Sequence, residues 1–509
     1  MTGTLTSIQV LIIVNPEPHS VISSLMKAGV YMEKYMLEAV AVKPSERQMA
    51  WQETEFYAFI HISPNTFTNR AWGLGNEDPA IFNPKSLDAR QWVNSIRTAG
   101  MKGMILTCKH HDGFCLWHSR LTEHSVKNCP YKGGKGDIVR EAADACREGG
   151  IKFGVYISPW DRHDSRYGDS KSYNSYFVGQ LRELLTNYGP IFSVWFDGAC
   201  GEGPNGMRQE YDWDAYYKTI RELQPDAVIN VCGPDVRWCG NEAGHCRKSE
   251  WSVVPEALKD IEKIQEKSQK IDDGEFSRRI TSMDEDLGSR EAIRHAGKLV
   301  WYPAEVNTSI RPEWFYHPGE DGLVKSVKEL MNIYYSSVGG NATFLLNIPP
   351  DRRGLFHEND VTRLSELGTA LRSAFKVNVS KDAAASASES LDDNHSSQNV
   401  LDPDKDTYWR PKDGTECANI TLRFPSEMTF DKVVLMEHIA SSGQRIEAFT
   451  LECEDADGWK MLYKGTVVGY KKISLFDKVT SAAVRLVIEQ SRWYPTISMF
   501  GVFCGEEIQ

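Results

Sequence analysis

Ile191-Phe192-Ser193-Val194-Trp195-Phe196-Asp197-Gly198-Ala199 is an apolar, β-branched and aromatic run that stops on a carboxylate followed by glycine. A parallel strand covered on both faces reads as a continuous apolar segment of this kind. In barrel proteins, the polar residue at the C-terminal end of such a strand stands where the chemistry is kept. Asp-Gly is also a common turn. Asp197 alone therefore has two readings, a turn cap or a reacting group.

The same pattern recurs on both sides of it. Glu55 to Ile62 reads as a strand ending at His61, and Lys102 to Thr107 as a strand ending in Lys109-His110-His111-Asp112-Gly113-Phe114. Ile151 to Ile157 ends in Ser158-Pro159-Trp160-Asp161, and Ala227 to Val231 in the run from Cys232 to Glu242. Helical spacing separates them over Asp88 to Ala99, Asp137 to Arg147, Ser175 to Tyr188 and Trp213 to Leu223, with Asp88 as a cap and Gly100 as a stop. Leu299 to Tyr302 is expected as a further strand, followed by a loop holding Glu305, Arg311, Trp314 and His317. A helix over Val324 to Ser337 and a last strand over Ala342 to Ile348 complete the series. Seven legible strands alternating with helices predict an α/β chain with a (β/α)8-like barrel over residues 46–375.

Beyond it the texture changes. Residues 380–400 are rich in Ser, Ala, Asp and Asn and read as a linker or a loose first edge. Short alternating runs follow at Asn419 to Phe424, Lys432 to Glu437, Ala448 to Glu454 and Ala483 to Glu489, which predicts an all-β sandwich over 376–509. Residues 1–45 resemble neither part and are expected to be an N-terminal extension. The mixed charges of 256–275 predict a solvated helix or insertion.

A chain of 509 residues is too long for one compact core, in keeping with two domains. A formal charge of -12 gives no footprint for nucleic acid. No apolar run is long enough to insert in a membrane. Val10 to Val14 is preceded by no basic residue and ended by Asn15-Pro16, a poor signal peptide. The expected location is cytoplasmic or left open. The 11 cysteines include no C-x-x-C pair, so neither a zinc cage nor a redox pair is signalled, and Cys108 and Cys232 read as small buried hydrophobes.

Histidines recur at strand ends: His61, then His110 with His111. Neighbouring side chains on a strand point to opposite faces, so the adjacent pair is not expected to share an ion, and no metal site is predicted. With Tyr156 and Trp195, the three histidines instead offer hydrogen bonds and stacking faces to a hydroxyl-rich ligand. Hydrolysis of a sugar needs two carboxyl groups flanking the glycosidic bond. Asp197 supplies one. Glu242, after the next strand, is well placed as the other, with Glu202, Asp235 and Glu250 as rivals.

Phe59-Ile60-His61, the Lys109–Phe114 run, Gly154-Val155-Tyr156 with Ser158–Asp161, and Val194–Ala199 together resemble an α-L-fucosidase of glycoside hydrolase family 29, over roughly residues 50–370 and in the family's order. Asn65-Thr66-Phe67 to Phe82-Asn83-Pro84, and Gly240-Asn241-Glu242, resemble the subgroup acting on α1,3- and α1,4-linked fucose. The resemblance implies a retaining exo-α-L-fucosidase that releases terminal fucose from oligosaccharides or glycoconjugates, with α1,2-linked fucose as an additional substrate and no required cofactor. It places Asp197 as nucleophile and Glu242 as acid/base. His61, Trp72, His110, His111, Tyr156, Trp195 and Trp314 fall at substrate-binding positions. One departure is plain: the family commonly has Glu-Trp in the first long loop, where this chain has Ala71-Trp72, with Glu77 as a candidate replacement. Two alternatives stand beside this reading, a non-catalytic glycan-binding protein on the same barrel and a glycosidase for another sugar. The segment Leu401 to Trp409 resembles discoidin-like β-sandwich modules, many of which bind carbohydrate and some of which hold a structural calcium through loop oxygens. Trp409 reads as core rather than as a sugar platform.

Overall fold

The computed structural model describes residues 33–261 and 283–505. Residues 1–32 of the expected extension and 262–275 of the charged stretch lie outside them. Eight parallel strands form the barrel: β1 (Phe56–Ile60), β2 (Gly103–Lys109), β3 (Lys152–Ile157), β4 (Ser193–Phe196), β5 (Val228–Val231), β6 (Arg237–Trp238), β7 (Ala304–Ser309) and β8 (Ala342–Asn347). Each pairs with the next, β8 returns to β1 through Phe56 opposite Phe344, and the single bridge Asn230–Val236 joins β5 to β6. Strands β1, β2, β4 and β5 are buried along their whole length, the state their unbroken apolar text demands.

The helices between strands start where their caps stand. Asp88, Asp137 and Asp212 each accept a backbone N–H in the first turn of Ala89–Thr98, Ile138–Gly149 and Trp213–Leu223, satisfying donors that the helix itself cannot. Ser170–Asn187 and Val327–Ser337 complete the expected helices, the latter with a capping box of Ser326 and Glu329. Cys108 and Cys232 are fully buried. Among the described residues, no helix is long and apolar enough to cross a membrane.

Two strand assignments need correction. Leu299–Trp301 is not in the barrel; it pairs antiparallel with Val253–Pro255 in a separate ribbon. The seventh barrel strand is Ala304–Ser309, so Glu305 lies on a strand and not in a loop. Its polar text disguised it, because the buried side chains of Glu305, Asn307 and Ser309 all accept hydrogen bonds, from Trp195, Trp238 and Asn347. The eighth strand, β6, is only two residues long, reached from β5 through five residues, 232–236, after Val231 turns the chain at φ 64°.

The second domain is an antiparallel β-sandwich around Trp409, Phe430, Leu435, Phe449, Leu486 and Phe500. Trp409 is fully buried and donates its indole N–H to the Glu389 carbonyl at 3.0 Å, so it is core. Ala384–Ala387, inside the stretch read as a linker or loose edge, pairs with Ala418–Met436 and is an edge strand. The described end of the N-terminal extension is the helix Lys34–Ala41, whose Leu37 and Val40 pack on Trp493 of the sandwich. Between the domains, Lys471 pairs with Glu55, the residue preceding β1.

Candidate active site

All the candidate residues lie at or beyond the carboxyl ends of the strands. Asp197 follows β4, and its two oxygens face different partners. Its Oδ1 accepts the Ala199 N–H at 2.8 Å, as a turn cap does, while Oδ2 accepts the Tyr156 hydroxyl at 3.0 Å. The same Oδ2 lies 3.8 Å from His111 Nε2, and a quarter of the Asp197 side chain is open to solvent. Burial pushes its carboxyl above the usual aspartate range, against the pull of the donors from Ala199, Tyr156 and Gly198.

The three histidines converge. His110 and His111 have ring centroids 4.1 Å apart, and His61 lies 5.8 Å from His110. The opposite-face expectation for the adjacent pair is therefore wrong. Strand β2 ends at Lys109, after a register irregularity between Thr107 and Lys109, so the two-residue alternation has lapsed before His110.

Neighbours fix the tautomers of two of these rings. Ser158 donates its one hydroxyl hydrogen to the Trp160 carbonyl at 2.7 Å, so it must accept from His111 Nδ1–H, also at 2.7 Å. Asn347 donates its amide to Ser309 Oγ and the Trp314 carbonyl, which turns its Oδ1 toward His61 Nδ1 at 2.8 Å. Burial holds both rings neutral, with pKa values driven down to about 3. Both therefore present a bare Nε2 as an acceptor for a ligand hydroxyl. Burial also carries His110 well below the ordinary histidine value, and its Nδ1 has no hydrogen-bond partner among the described residues.

Aromatic rings wall this cluster. Tyr156 and Trp195 stack at 5.3 Å beside Phe59, and Trp314 lies 5.3 Å from His61. Half-exposed Trp72 stands edge-on to His111 and to Trp160, a neighbour not singled out from sequence although its strand-end motif was legible. Glu77 does not stand in for a carboxylate at position 71. Its oxygens accept the N–H groups of Leu74 and Gly75 at 2.6 and 2.8 Å, so it is the clamp of the loop that carries Trp72.

The four candidates for the second carboxylate stand in different surroundings. Glu250 is fully buried between Arg237 and Arg247; burial alone would raise its carboxyl, but the two guanidinium groups hold it below the usual range. Asp235 is buried, paired with Arg221, and accepts the Ile229 N–H. Glu202 is exposed in the loop after β4, its backbone carbonyl receiving the Trp160 indole N–H at 3.2 Å. Glu242 is solvent-exposed, and its Oε2 accepts the indole N–H of Trp314 at 3.1 Å. That bond ties Glu242 to the ring that walls His61. Among the described residues, none of the other three carboxylates hydrogen-bonds to a ring that packs on the histidine cluster in this way.

Beneath the site lies a group that sequence reading misplaced. Glu305 is fully buried inside the barrel and accepts from Trp195 Nε1 at 2.7 Å, Asn230 Nδ2 at 2.8 Å and the Tyr57 hydroxyl. Burial pushes its carboxyl up to about 7, against those three donors. The folded protein thus holds this proton up to about pH 7, while an unfolded glutamate releases it near 4.5. The native state binds more protons in that window, so this contribution to stability is complete below 4.5 and is lost as pH rises through 7. Relative to wild type, Glu305→Gln should reduce the loss of unfolding free energy between about pH 5 and about pH 8 by on the order of 3 kcal/mol, read from denaturant melts. Parallel curves for the two proteins would show that Glu305 does not titrate in this way.

A parallel barrel with a carboxylate, three neutral histidines and aromatic walls at its carboxyl-terminal mouth is built as an enzyme barrel of the (β/α)8 class, with its polar groups where that class keeps its active sites. The alpha-L-fucosidase family model matches residues 19–374, and the F5/8 type C domain model matches 384–500. The chain is 40% identical over 467 residues to Alpha-L-fucosidase 1 of Arabidopsis thaliana, covering 90% of this chain and 87% of that protein. A GH29 fucosidase of Ruminococcus gnavus, solved in complex with fucose, has a TM-score of 0.79 at 31% identity, covering 92% of this chain and 95% of that one. A glycoside hydrolase 29 family member from an unknown rumen bacterium has a TM-score of 0.75 at 38% identity, covering 92% and 78%. The chain belongs to the alpha-L-fucosidase family, glycoside hydrolase family 29, and carries a C-terminal discoidin-like domain. It is a glycoside hydrolase.

Proposed function

We propose that this alpha-L-fucosidase is a retaining exo-enzyme that cleaves terminal α1,3- and α1,4-linked fucose from oligosaccharides and glycoconjugates, and admits α1,2-linked fucose. Asp197 attacks the anomeric carbon to form a covalent fucosyl-enzyme. Glu242 protonates the departing oxygen, then takes a proton from the water that releases fucose. One observation carries this reading: Asp197 sits among the histidines with Tyr156 on its Oδ2, while Glu242 is held on Trp314, the ring beside His61.

The surroundings suit a sugar. The bare Nε2 atoms of His61 and His111 accept from hydroxyl groups, and Trp314, Trp195 and Trp72 offer apolar faces. His110, His111 and Asp197 also bring one donor atom each within 4.8 Å of one another. In this reading those atoms serve fucose, because an ion there would occupy the Oδ2 that must reach the anomeric carbon. Both reacting groups belong to the chain, so the proposed chemistry calls for no cofactor. The subgroup assignment rests on the likeness of the Asn65–Pro84 and Gly240-Asn241-Glu242 segments to enzymes of that linkage class.

Proton NMR of the first turnovers tests both parts. With a Lewis-type trisaccharide the first anomer released should be α-L-fucose, and β-L-fucose would mean an inverting enzyme. An α1,6-fucoside should be cleaved at least about tenfold more slowly than the α1,3-linked one, since a misfit outside the reacting sugar raises the barrier by at least about 1.4 kcal/mol. Equal rates would remove the linkage assignment while leaving the mechanism in place.

A further inference from the structure

The sequence presents the C-terminal domain as an appended module, but the structure ties it to the segment that carries Glu242. Asn241 organises the turn around Glu242: its Oδ1 accepts the N–H groups of Ala243 and His245 at 3.1 Å each, and its Nδ2 donates to the His245 carbonyl at 3.0 Å. The chain then passes under the helix Val327–Ser337, where Gly244, at φ 81°, faces Ile333 closely enough that a Cβ would come within 3.1 Å of that side chain. At Glu250 it is clasped back onto its own start. The buried Glu250 carboxylate pairs with Arg237 of β6 and with Arg247, and Arg247 also donates to the Cys239 carbonyl at 3.1 Å. Residues 237–250 thus form a closed loop with Glu242 at its outer turn.

The far end of that loop is held by the other domain. Gln444, fully buried, accepts the Ser252 N–H on its Oε1 at 2.7 Å and donates its Nε2 to the Glu250 carbonyl at 3.3 Å. Thr466 accepts from Ser249 Oγ at 2.9 Å and donates to the Lys248 carbonyl at 3.3 Å. A third tie runs through Asn341, which donates to the Glu250 carbonyl at 2.8 Å and accepts the Tyr470 N–H at 2.7 Å. Four of these bonds hold backbone atoms of Lys248, Glu250 and Ser252, next to the Glu250 clasp, and a fifth holds the Ser249 hydroxyl.

We propose that Gln444 and Thr466 are positioning residues for the acid/base step: the β-sandwich sets the placement of Glu242 through the strap of residues 248–252 and the Glu250 clasp. The inference rests on the acid/base role proposed for Glu242. Small displacements of a reacting group are costly. A misplacement of about 1 Å, made at a distance from the chemistry, lowers rates by up to about a hundredfold. A loosened strap should therefore slow cleavage where proton donation matters and spare it where the leaving group needs no proton.

The test uses the full chain, with Gln444→Met, Thr466→Val and their combination, beside Glu242→Ala. Each is assayed as kcat/KM on a Lewis-type trisaccharide and on 2-chloro-4-nitrophenyl α-L-fucoside. The combined variant should lose about ten- to a hundredfold on the trisaccharide, and its loss on the aryl fucoside should stay within about twofold. Thr466 is half-buried, so Thr466→Val gives a readable protein even where Gln444→Met impairs folding. Equal losses on both substrates, or none on either, overturn the positioning role. The reading beneath it fails differently: Glu242→Ala itself would then lower both substrates alike, and the inference would fall with it.

Discussion

Asp197→Ala is expected to lower kcat on every fucoside by on the order of 10⁴–10⁶-fold, the loss seen when a nucleophile is removed and only binding and the remaining polar groups act. Nothing else in the described site is placed to take over. Two other carboxylates near the barrel mouth are committed elsewhere: Glu250 to two arginines, Asp235 to Arg221 and the Ile229 N–H. The substitution also strips the Tyr156 hydroxyl and the Ala199 N–H of their acceptor. Fucose affinity should change far less than kcat, because His61, His110, His111 and Trp314 do not depend on Asp197 for their positions. Azide is small enough to enter the space the carboxylate leaves. It should attack an activated α-fucoside from that side and give β-L-fucosyl azide, with inverted configuration. A variant that keeps substantial activity without azide would place the nucleophile on another residue.

Glu242→Ala should separate substrates by leaving group. On natural glycans, whose sugar alcohol departs badly without a proton, kcat/KM should fall by about 10²–10⁴-fold. On 2-chloro-4-nitrophenyl α-L-fucoside, whose phenolate departs unaided, kcat/KM should be nearly unchanged, while kcat falls because water no longer has a base in the second step. Azide needs no base. It should restore kcat on that substrate and yield α-L-fucosyl azide, retained in configuration, since it meets the fucosyl-enzyme on the face opposite Asp197. The opposite anomers from the two variants form a paired signature: β from Asp197→Ala and α from Glu242→Ala. The same azide product from both would contradict the assignment of opposite faces. The Trp314 indole donates to Glu242 Oε2 and so ties this carboxylate to the ring beside His61.

Much of this was legible in one dimension because burial leaves a textual trace. Barrel strands covered on both faces must be apolar throughout, and the runs at Phe56–Ile60, Gly103–Lys109 and Ser193–Phe196 say so. Helix caps are local, so Asp88 and Asp137 marked their helices without reference to the rest of the chain. The strand-end rule then pointed to His61, His110, His111, Tyr156 and Asp197, and those residues do meet. Strand β7 escaped for the opposite reason. A strand whose residues hydrogen-bond within the barrel interior looks like a loop, and only its neighbours Trp195, Trp238 and Asn347 explain why Glu305, Asn307 and Ser309 are tolerated there.

The sequence by itself determined the two-domain order, six of the eight barrel strands and the family of strand-end residues, since those follow from periodicity, capping and local motif. Tertiary structure alone decided which carboxylates remain available for chemistry. Glu242 and Glu250 lie eight positions apart with no local difference in kind; one is exposed on an indole, the other buried between two guanidinium groups. Tertiary structure also decided that His110 and His111 face the same space, because the strand had already ended. It decided, finally, that the second domain grips the backbone of the Glu242 strap through Gln444 and Thr466. Charge pairing and contact between segments roughly 200 residues apart leave no periodic trace in the chain; they exist only once the barrel has closed and the β-sandwich has docked beside it.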